Sequence, residues 1–374
     1  MKRAFAAVFL SAMFLAAPFP LVAEGGTTGQ QEDALRRHDL SPTFSLYGFA
    51  DVTLRGESTR GTTAETDTHS AFAIGALDLF ILSRLADNLS FLGELVFETN
   101  EDGEFVVDLE RLAFKYTVSD RFWASVGRHH TTLGYWNETF HHGLVLQPVV
   151  ERPAVLQFED DGGVLPVHSV GLALGGRWFR GHWGLDYAGD ISNGRGMLAD
   201  EVQNISDQND SKAVTARLTV SRDGETQVLF GAMVRADSIP PDPDPLVPAR
   251  NGTIDEDIAG GHFVYRDRRL EVFAEYYDIR HDDSVSGGTF DHRGYFLIAI
   301  RRAGRWRPYA GYDRLDLEDG DPYYTGFASE TKRWLAGVRL DLNPLSAFKF
   351  EYQHDNSPPG GEQDALVVQA SFTF

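Results

Sequence analysis

The chain ends in Leu-Val-Val-Gln-Ala-Ser-Phe-Thr-Phe, residues 366–374, where apolar or small side chains alternate with mostly polar ones. A period of two is the pattern of a β-strand with one apolar and one polar face. A single strand of this kind also occurs in soluble β-sandwiches. The number of such segments in the chain, and whether the chain is exported, therefore decide the fold.

The same alternation recurs along most of the sequence and predicts sixteen strands. The predicted strands are 43–54, 70–84, 88–98, 105–118, 120–129, 167–179, 182–190, 211–221, 226–237, 255–265, 269–281, 289–302, 305–317, 330–342, 345–355 and 362–374.

The connections between these segments alternate in length. Short turns built on Gly, Asn, Asp or Pro, such as Arg180-Gly181 and Asn343-Pro344, alternate with longer polar segments, the longest being 130–166. Such turn residues permit tight reversals. Short turns at one end and long loops at the other are typical of an antiparallel transmembrane β-barrel, with the turns periplasmic and the loops extracellular.

Individual strands separate their two faces. In 330–342, Trp334, Ala336 and Val338 lie on one face, while Arg333 and Arg339 lie on the other. A charge at mid-bilayer depth costs about 2–4 kcal/mol, so we expect lipid on the apolar faces and the charges inside. Sixteen strands leave an aqueous channel.

The amino terminus predicts export. Residues 1–23 combine a basic start, an apolar run and small residues before position 24, which is the pattern of a signal peptide. Residues 24–41 are polar and are interpreted as a periplasmic leader, which leaves 42–374 for the barrel. The chain lacks cysteine. Its net charge of −21 argues against nucleic acid as a partner.

With the aromatic terminus Phe374, the strand number and the loop asymmetry, the chain resembles the sixteen-stranded porins of the Gram-negative outer membrane. Val126-Gly127-Arg128 followed by Leu133-Gly134-Tyr135 also resembles a passage in the phosphate-selective group, although Thr132-Leu133-Gly134 stands where those porins usually have proline. The resemblance implies a passive channel for small hydrophilic solutes or ions, integral to the outer membrane and in contact with its lipid and lipopolysaccharide. It also implies a homotrimer.

The segment 130–166 follows the fifth strand and mixes charged with apolar residues, which is unusual for a loop in water. We therefore expect it to fold against the barrel wall and narrow the pore. By analogy with general porins, basic wall residues and acidic loop residues would face each other across the neck. The predicted constriction and lumen residues are Arg111, Lys115, Arg128, Glu138, Glu151, Glu159, Asp160, Arg307, Arg333 and Arg339.

Histidines cluster around the same segment. His129, His130, His141 and His142 are candidate ligands for zinc, although their spacing matches no known metal motif and favours a role as polar pore lining. Acidic loop residues are candidates for calcium or magnesium bridges to lipopolysaccharide phosphates. No other cofactor is predicted.

Two alternatives to a diffusion channel remain at this point. One is a non-conducting structural or binding barrel, and the other is a metal-uptake channel that uses the histidines. An enzyme is not predicted, because no nucleophile elbow is present and His168-Ser169, as strand neighbours, point to opposite faces.

Overall fold

The computed structural model describes residues 43–60, 66–99, 105–140, 145–201, 206–242, 250–357 and 361–374. The predicted signal peptide, 1–23, and the predicted leader, 24–41, lie outside these residues. Among the described residues, no helix has the length and apolar character needed to cross a membrane.

The described chain forms one closed antiparallel barrel of sixteen strands, as predicted. Each strand pairs with its sequence neighbours, and the first strand pairs with the last. The strands are β1 Thr43–Arg60, β2 Thr66–Ala86, β3 Leu89–Thr99, β4 Phe105–Ser119, β5 Phe122–His130, β6 His168–Arg180, β7 Trp183–Ser192, β8 Ala213–Arg222, β9 Gln227–Ile239, β10 Ile254–Arg266, β11 Leu270–Asp283, β12 Thr289–Arg301, β13 Trp306–Asp316, β14 Thr331–Asn343, β15 Ser346–Ser357 and β16 Gly361–Thr373.

The carboxyl terminus closes the barrel. The backbone of Phe374 exchanges two hydrogen bonds with Gly48 of β1, at 2.9 and 3.0 Å. A side chain at position 48 would collide with the Phe374 ring, so glycine permits this contact. The strand predicted from the terminal alternation, β16, therefore closes the barrel by pairing with β1.

At one end of the barrel, here called the short-turn end, the connections span only two to four residues. At the opposite end four connections are long, covering 131–167, 193–212, 240–253 and 317–330, while the other four are short. One of these short connections replaces a predicted long loop, because β1 continues to Arg60 and β2 starts at Thr66. Backbone pairing of β1 with β2 continues through polar Ser and Thr positions beyond the point where the apolar alternation ends. Pairing extends this far because backbone hydrogen bonds do not require an apolar face.

The outer wall exposes large apolar side chains. Leu366 is 67% exposed, and Trp178, Trp183 and Trp306 project near the short-turn end. Towards the other end, Tyr276, Tyr295, Tyr312 and Trp334 form a row of neighbouring rings across four strands. Two aromatic belts around an apolar wall are the surface of a barrel that spans a bilayer.

Candidate functional site

The segment between β5 and β6 folds into the barrel. Its backbone N–H groups at Tyr135 and Trp136 donate to the buried Glu275 carboxylate of β11, at 3.0 and 2.6 Å. The Gly134 carbonyl accepts from Arg217 of β8 at 2.6 Å. Glu275 thereby satisfies free N–H groups at the start of the short helix α1, Trp136–Phe140. Gly134 has a φ of +76°, and a Cβ there would strike Glu275 and Tyr277, so this position requires glycine.

The second half of the segment is held by side chains of β14 and β15. Lys349 of β15 donates to the Val149 carbonyl at 2.9 Å, and Glu351 accepts from the Val150 N–H at 3.0 Å. Arg339 of β14 donates to the carbonyl of Gln147 at 2.8 Å. The segment thus touches inward-facing side chains of several strands.

Glu151 connects this segment to two arginines. It forms an ion pair with Arg333 at 2.7 Å and a second ion pair with Arg55 of β1. Burial opposes ionisation of Glu151, but the two guanidinium groups outweigh it and hold its pKa below the usual range. Glu151 is therefore a charged link between the loop and the wall.

Apolar packing fills the lumen beside β9–β14. Loop residues such as Trp136 and Val155 belong to one buried cluster with inward-facing Met233, Phe273 and Ile298. The Trp136 ring lies 5.4 Å from that of Phe296 and 6.0 Å from that of Phe273. Charged side chains such as Glu275, Asp313 and Arg333 also point inward here, as expected, but apolar side chains that the sequence analysis did not place in the lumen lie between them.

The other side of the lumen is open. A cavity of about 730 Å³ lies at the short-turn end, between the walls of β2–β6 and the loop. The charged side chains that line it, histidines aside, are Arg84, Asp87, Arg111, Lys115 and Glu138.

Most of these cavity charges are paired. Arg111 bonds the buried Glu94 at 2.7 Å, and Glu138 bonds Arg217 at 2.6 Å. Lys115 has no ion pair among the described residues; its ammonium lies 4.3 Å from the centre of the Trp123 ring.

The predicted lumen residues outside this cavity make local contacts. Arg128 donates to the Glu110 carbonyl at 3.0 Å, and Glu159 accepts from the Val167 N–H at 2.8 Å. Arg307 and Arg339 both bond Asp341, at 2.6 and 2.7 Å. For Asp160, the backbone is described and the side chain is not.

Basic wall residues and acidic loop residues were expected to face each other across the neck, and the structure shows a different arrangement. Glu151 and Arg333, which would face each other across an open neck, are bonded directly, and Arg333 also bonds Asp313 at 2.6 Å. Arg111 and Lys115 line the cavity, and Glu138 lies on its loop side. These three residues are the predicted set that the structure brings together around open space.

The predicted histidine site is only partly described, since His141 and His142 lie outside the described residues. His129 contacts the Gly127 carbonyl through Nδ1 at 3.1 Å, and the His130 ring lies 5.4 Å from that of His168. Zinc binding at these histidines stays a prediction.

A second group of histidines, missed by the sequence analysis, lies at the long-loop end. His281 of β11 and His292 of β12 both contact Asp321, at 2.7 and 2.6 Å, and all three are buried. His281 also contacts Glu256 of β10 at 3.1 Å. Among the described residues, His281, His292 and Asp321 form the one group compact enough to be considered for a metal ion.

Hydrogen bonding explains this group without a metal. The backbone N–H of Glu318 donates to His292 Nδ1 at 3.1 Å, so the imidazole proton is on Nε2 and points to Asp321. Burial opposes the Asp321 charge, but hydrogen bonds from the two histidines outweigh it and hold the pKa of Asp321 well below its usual range. Asp321 thus ties the β13–β14 connection to the barrel wall.

The two tyrosines after Asp321 continue this tie. Tyr324 donates to the Val164 carbonyl at 2.8 Å, and Tyr323 donates to Gly196 and Leu198 at 3.2 Å. Three long connections therefore meet in one buried cluster above the packed half of the lumen.

Neither a known protein-family model nor a curated protein matches the chain. Solved structures do match its fold. The anion-selective porin from Comamonas acidovorans aligns with a TM-score of 0.63 and 12% identity, covering 89% of this chain and 100% of that one. The outer membrane channel DcaP of Acinetobacter baumannii aligns with a TM-score of 0.57 and 10% identity, covering 90% and 99%. The trimer form of OmpT, an outer membrane protein of Vibrio cholerae, aligns at 0.56 and 12%, covering 89% and 99%.

At these identities the similarity establishes the fold. The location follows from the fold together with the outer wall, because a closed barrel of this size with an apolar, aromatic-belted exterior is an integral protein of an outer membrane.

Proposed function

We propose that this chain is an outer-membrane porin, a passive diffusion channel for small hydrophilic solutes or ions. The observation that carries the proposal is the open cavity beside β2–β6, which is lined by charged and hydroxyl side chains and bounded by the folded-in loop. In this proposal, segment 130–166 narrows the pore by filling the half of the lumen beside β9–β14. The role is passive and requires no catalytic group.

The proposal includes assembly as a homotrimer in contact with outer-membrane lipid and lipopolysaccharide. The similarity to a barrel solved in a trimer form supports the oligomer. Calcium or magnesium bridges between acidic loop residues and lipopolysaccharide phosphates, and kinship with the phosphate-selective porins, are retained as finer parts of the proposal.

Planar-bilayer recording of the refolded protein tests the channel. We expect stepwise conductance, and we expect a larger conductance after deletion of 137–160. Unchanged conductance after the deletion would show that the loop does not narrow the pore.

Thiol labelling locates the water path, since the chain has no cysteine of its own. Ser90→Cys and Thr117→Cys are on the cavity wall, whereas Met233→Cys is in the packed half and only 2% of Met233 is exposed. A charged, water-soluble thiol reagent is expected to reduce the current of the first two variants and to leave the third unchanged. Equal labelling of all three would place water throughout the lumen.

The packed half-lumen also favours a second candidate, a non-conducting barrel that binds or supports a partner. Stable insertion into the bilayer without current, in both the intact chain and the loop-deleted chain, would select this candidate.

A further inference from the structure

One register row crosses the cavity wall. Arg84 of β2 pairs with Ser90 of β3, Ser90 pairs with Lys115 of β4, and Lys115 pairs with Ser125 of β5. All four residues line the cavity. Directly opposed residues on one face of a sheet have Cβ atoms about 4.5–5.5 Å apart. Two cationic and two hydroxyl side chains are therefore adjacent on one wall; we call them the Arg84–Ser125 row.

The positive charge of this row is poorly compensated. Lys115 has no ion pair within the described part of the chain, and its contact is with the face of Trp123. Arg84 has one carboxylate partner there, Asp87 at 3.4 Å, and both side chains are well exposed to water. Exposed pairs of this kind contribute little and leave the cation available.

The neighbouring cation on the same strand behaves differently. Arg111 is neutralised by Glu94, its fully buried partner on the adjacent strand β3. On the loop side, Glu138 is neutralised by Arg217. The cavity wall therefore presents two weakly compensated cations: Lys115, which has no ion pair among the described residues, and Arg84, whose pair with Asp87 is exposed to water.

We propose that the Arg84–Ser125 row is an anion-binding site of the inner cavity, with Lys115 as its central cation, and that it selects small oxyanions such as carboxylates and inorganic phosphate. An ammonium, a guanidinium and two hydroxyl groups supply donors to several oxygens of one anion. The ring of Trp123 supports the Lys115 side chain from one side. As a determinant of selectivity, the proposal rests on the proposed channel function.

The test removes one positive charge while keeping the shape of the side chain nearly the same. Lys115→Met is compared with Lys332→Met, which makes the same change at an exposed residue that lies on β14 outside the cavity lining. Reversal potentials in a potassium chloride gradient give the chloride-to-potassium permeability ratio. We expect a fall of roughly threefold in Lys115→Met, because one unit charge beside the permeating ion is removed. Lys115→Arg should retain the ratio of the unchanged protein, as should Lys332→Met.

A second measurement does not need current. Inorganic phosphate is titrated into the refolded protein in detergent micelles and followed by calorimetry, with Lys115→Met and Lys332→Met as the pair. Heat of binding that is lost only in Lys115→Met supports the site, even if the barrel does not conduct. Absence of phosphate binding in the unchanged protein, or a permeability ratio that Lys115→Met leaves unchanged, overturns it. Absence of conductance alone counts against the channel function and leaves the binding site standing.

Discussion

The two sides of the lumen are built on the same alternation of residues but face different surroundings. On β3–β6 the inward positions include Ser90, Ala113, Ser125 and Ala173, which border a cavity. On β9–β12 they include Met233, Phe273, Phe296 and Ile298, which are buried beneath the loop. The comparison shows that a period of two sorts the side chains onto two faces of a strand and leaves open whether the inward face meets water or protein.

The difference between the walls explains where the loop rests. A loop that carries Trp136, Val149 and Leu156 gains stability by covering apolar wall, because burial of apolar surface is the main favourable term in packing. Glu275 and Arg217 satisfy its backbone groups on one side, and Lys349 and Glu351 do so on the other. The small and polar wall offers no comparable apolar surface, so the cavity remains beside it.

The largest expected effect comes from emptying the packed half. Trp136 is fully buried, so Trp136→Ala should lower the free energy of unfolding by about 3–5 kcal/mol, the range for deleting a buried aromatic side chain. Trp123 borders the cavity and is only partly buried. Trp123→Ala should therefore cost clearly less.

Urea unfolding in lipid vesicles measures both variants, and the five tryptophans left in each report the transition. Equal losses would mean that the two halves are packed alike, which contradicts the comparison.

The barrel could be predicted because its signals are local. Trp334 and Arg333 are neighbours on opposite faces, and tight turns mark the strand ends. The inward position of the loop was also predictable from its apolar residues. The apolar wall beneath the loop could not be predicted. β12 is apolar on both faces around Tyr295, Phe296, Leu297 and Ile298, so the alternation does not show which face points inward.

The site depended on contacts that sequence spacing does not encode. Lys115 was identified as a lumen residue, but its neighbours Ser90 and Ser125 follow from strand register, which a shift of one residue would change. Asp321 lies 40 positions from His281, and no spacing rule connects them. Long connections that fold inward place such residues together, and their path is set by tertiary packing.

A smaller effect is expected at the long-loop end of the packed half. Asp321→Asn removes the charge held between His281 and His292, which should destabilise the 317–330 connection locally by about 1.5–3 kcal/mol, the range for hydrogen bonds to charged groups. Hydrogen exchange of this connection should become faster. Asp319→Asn, an exposed change in the same connection, is the control. Exchange rates that rise equally in both variants would show that the histidine contacts do not hold the connection.

The smallest expected effect is the pH dependence of the loop anchor Glu151. Because its side chain is 27% exposed, Glu151→Gln should lower the free energy of unfolding by only about 1 kcal/mol at pH 7, less than a fully buried charged contact provides. The folded-state pKa of Glu151 is depressed, so its contribution is complete above the ordinary glutamate value of about 4.3 and is lost as the pH falls through the lower folded value.

The difference in stability between the unchanged protein and Glu151→Gln should therefore be constant from pH 7 to about 5 and shrink in stronger acid. Glu362→Gln provides the matched control, because Glu362 forms an exposed pair with Arg60 at 3.8 Å and should show almost no difference at any pH. Urea unfolding at a series of pH values measures all three proteins. A Glu151 difference that persists undiminished in acid would mean that the loop is held by its apolar packing and by contacts such as those of Lys349, without help from this charge. The contrast between the two sides of the lumen would then rest on hydrophobic burial alone.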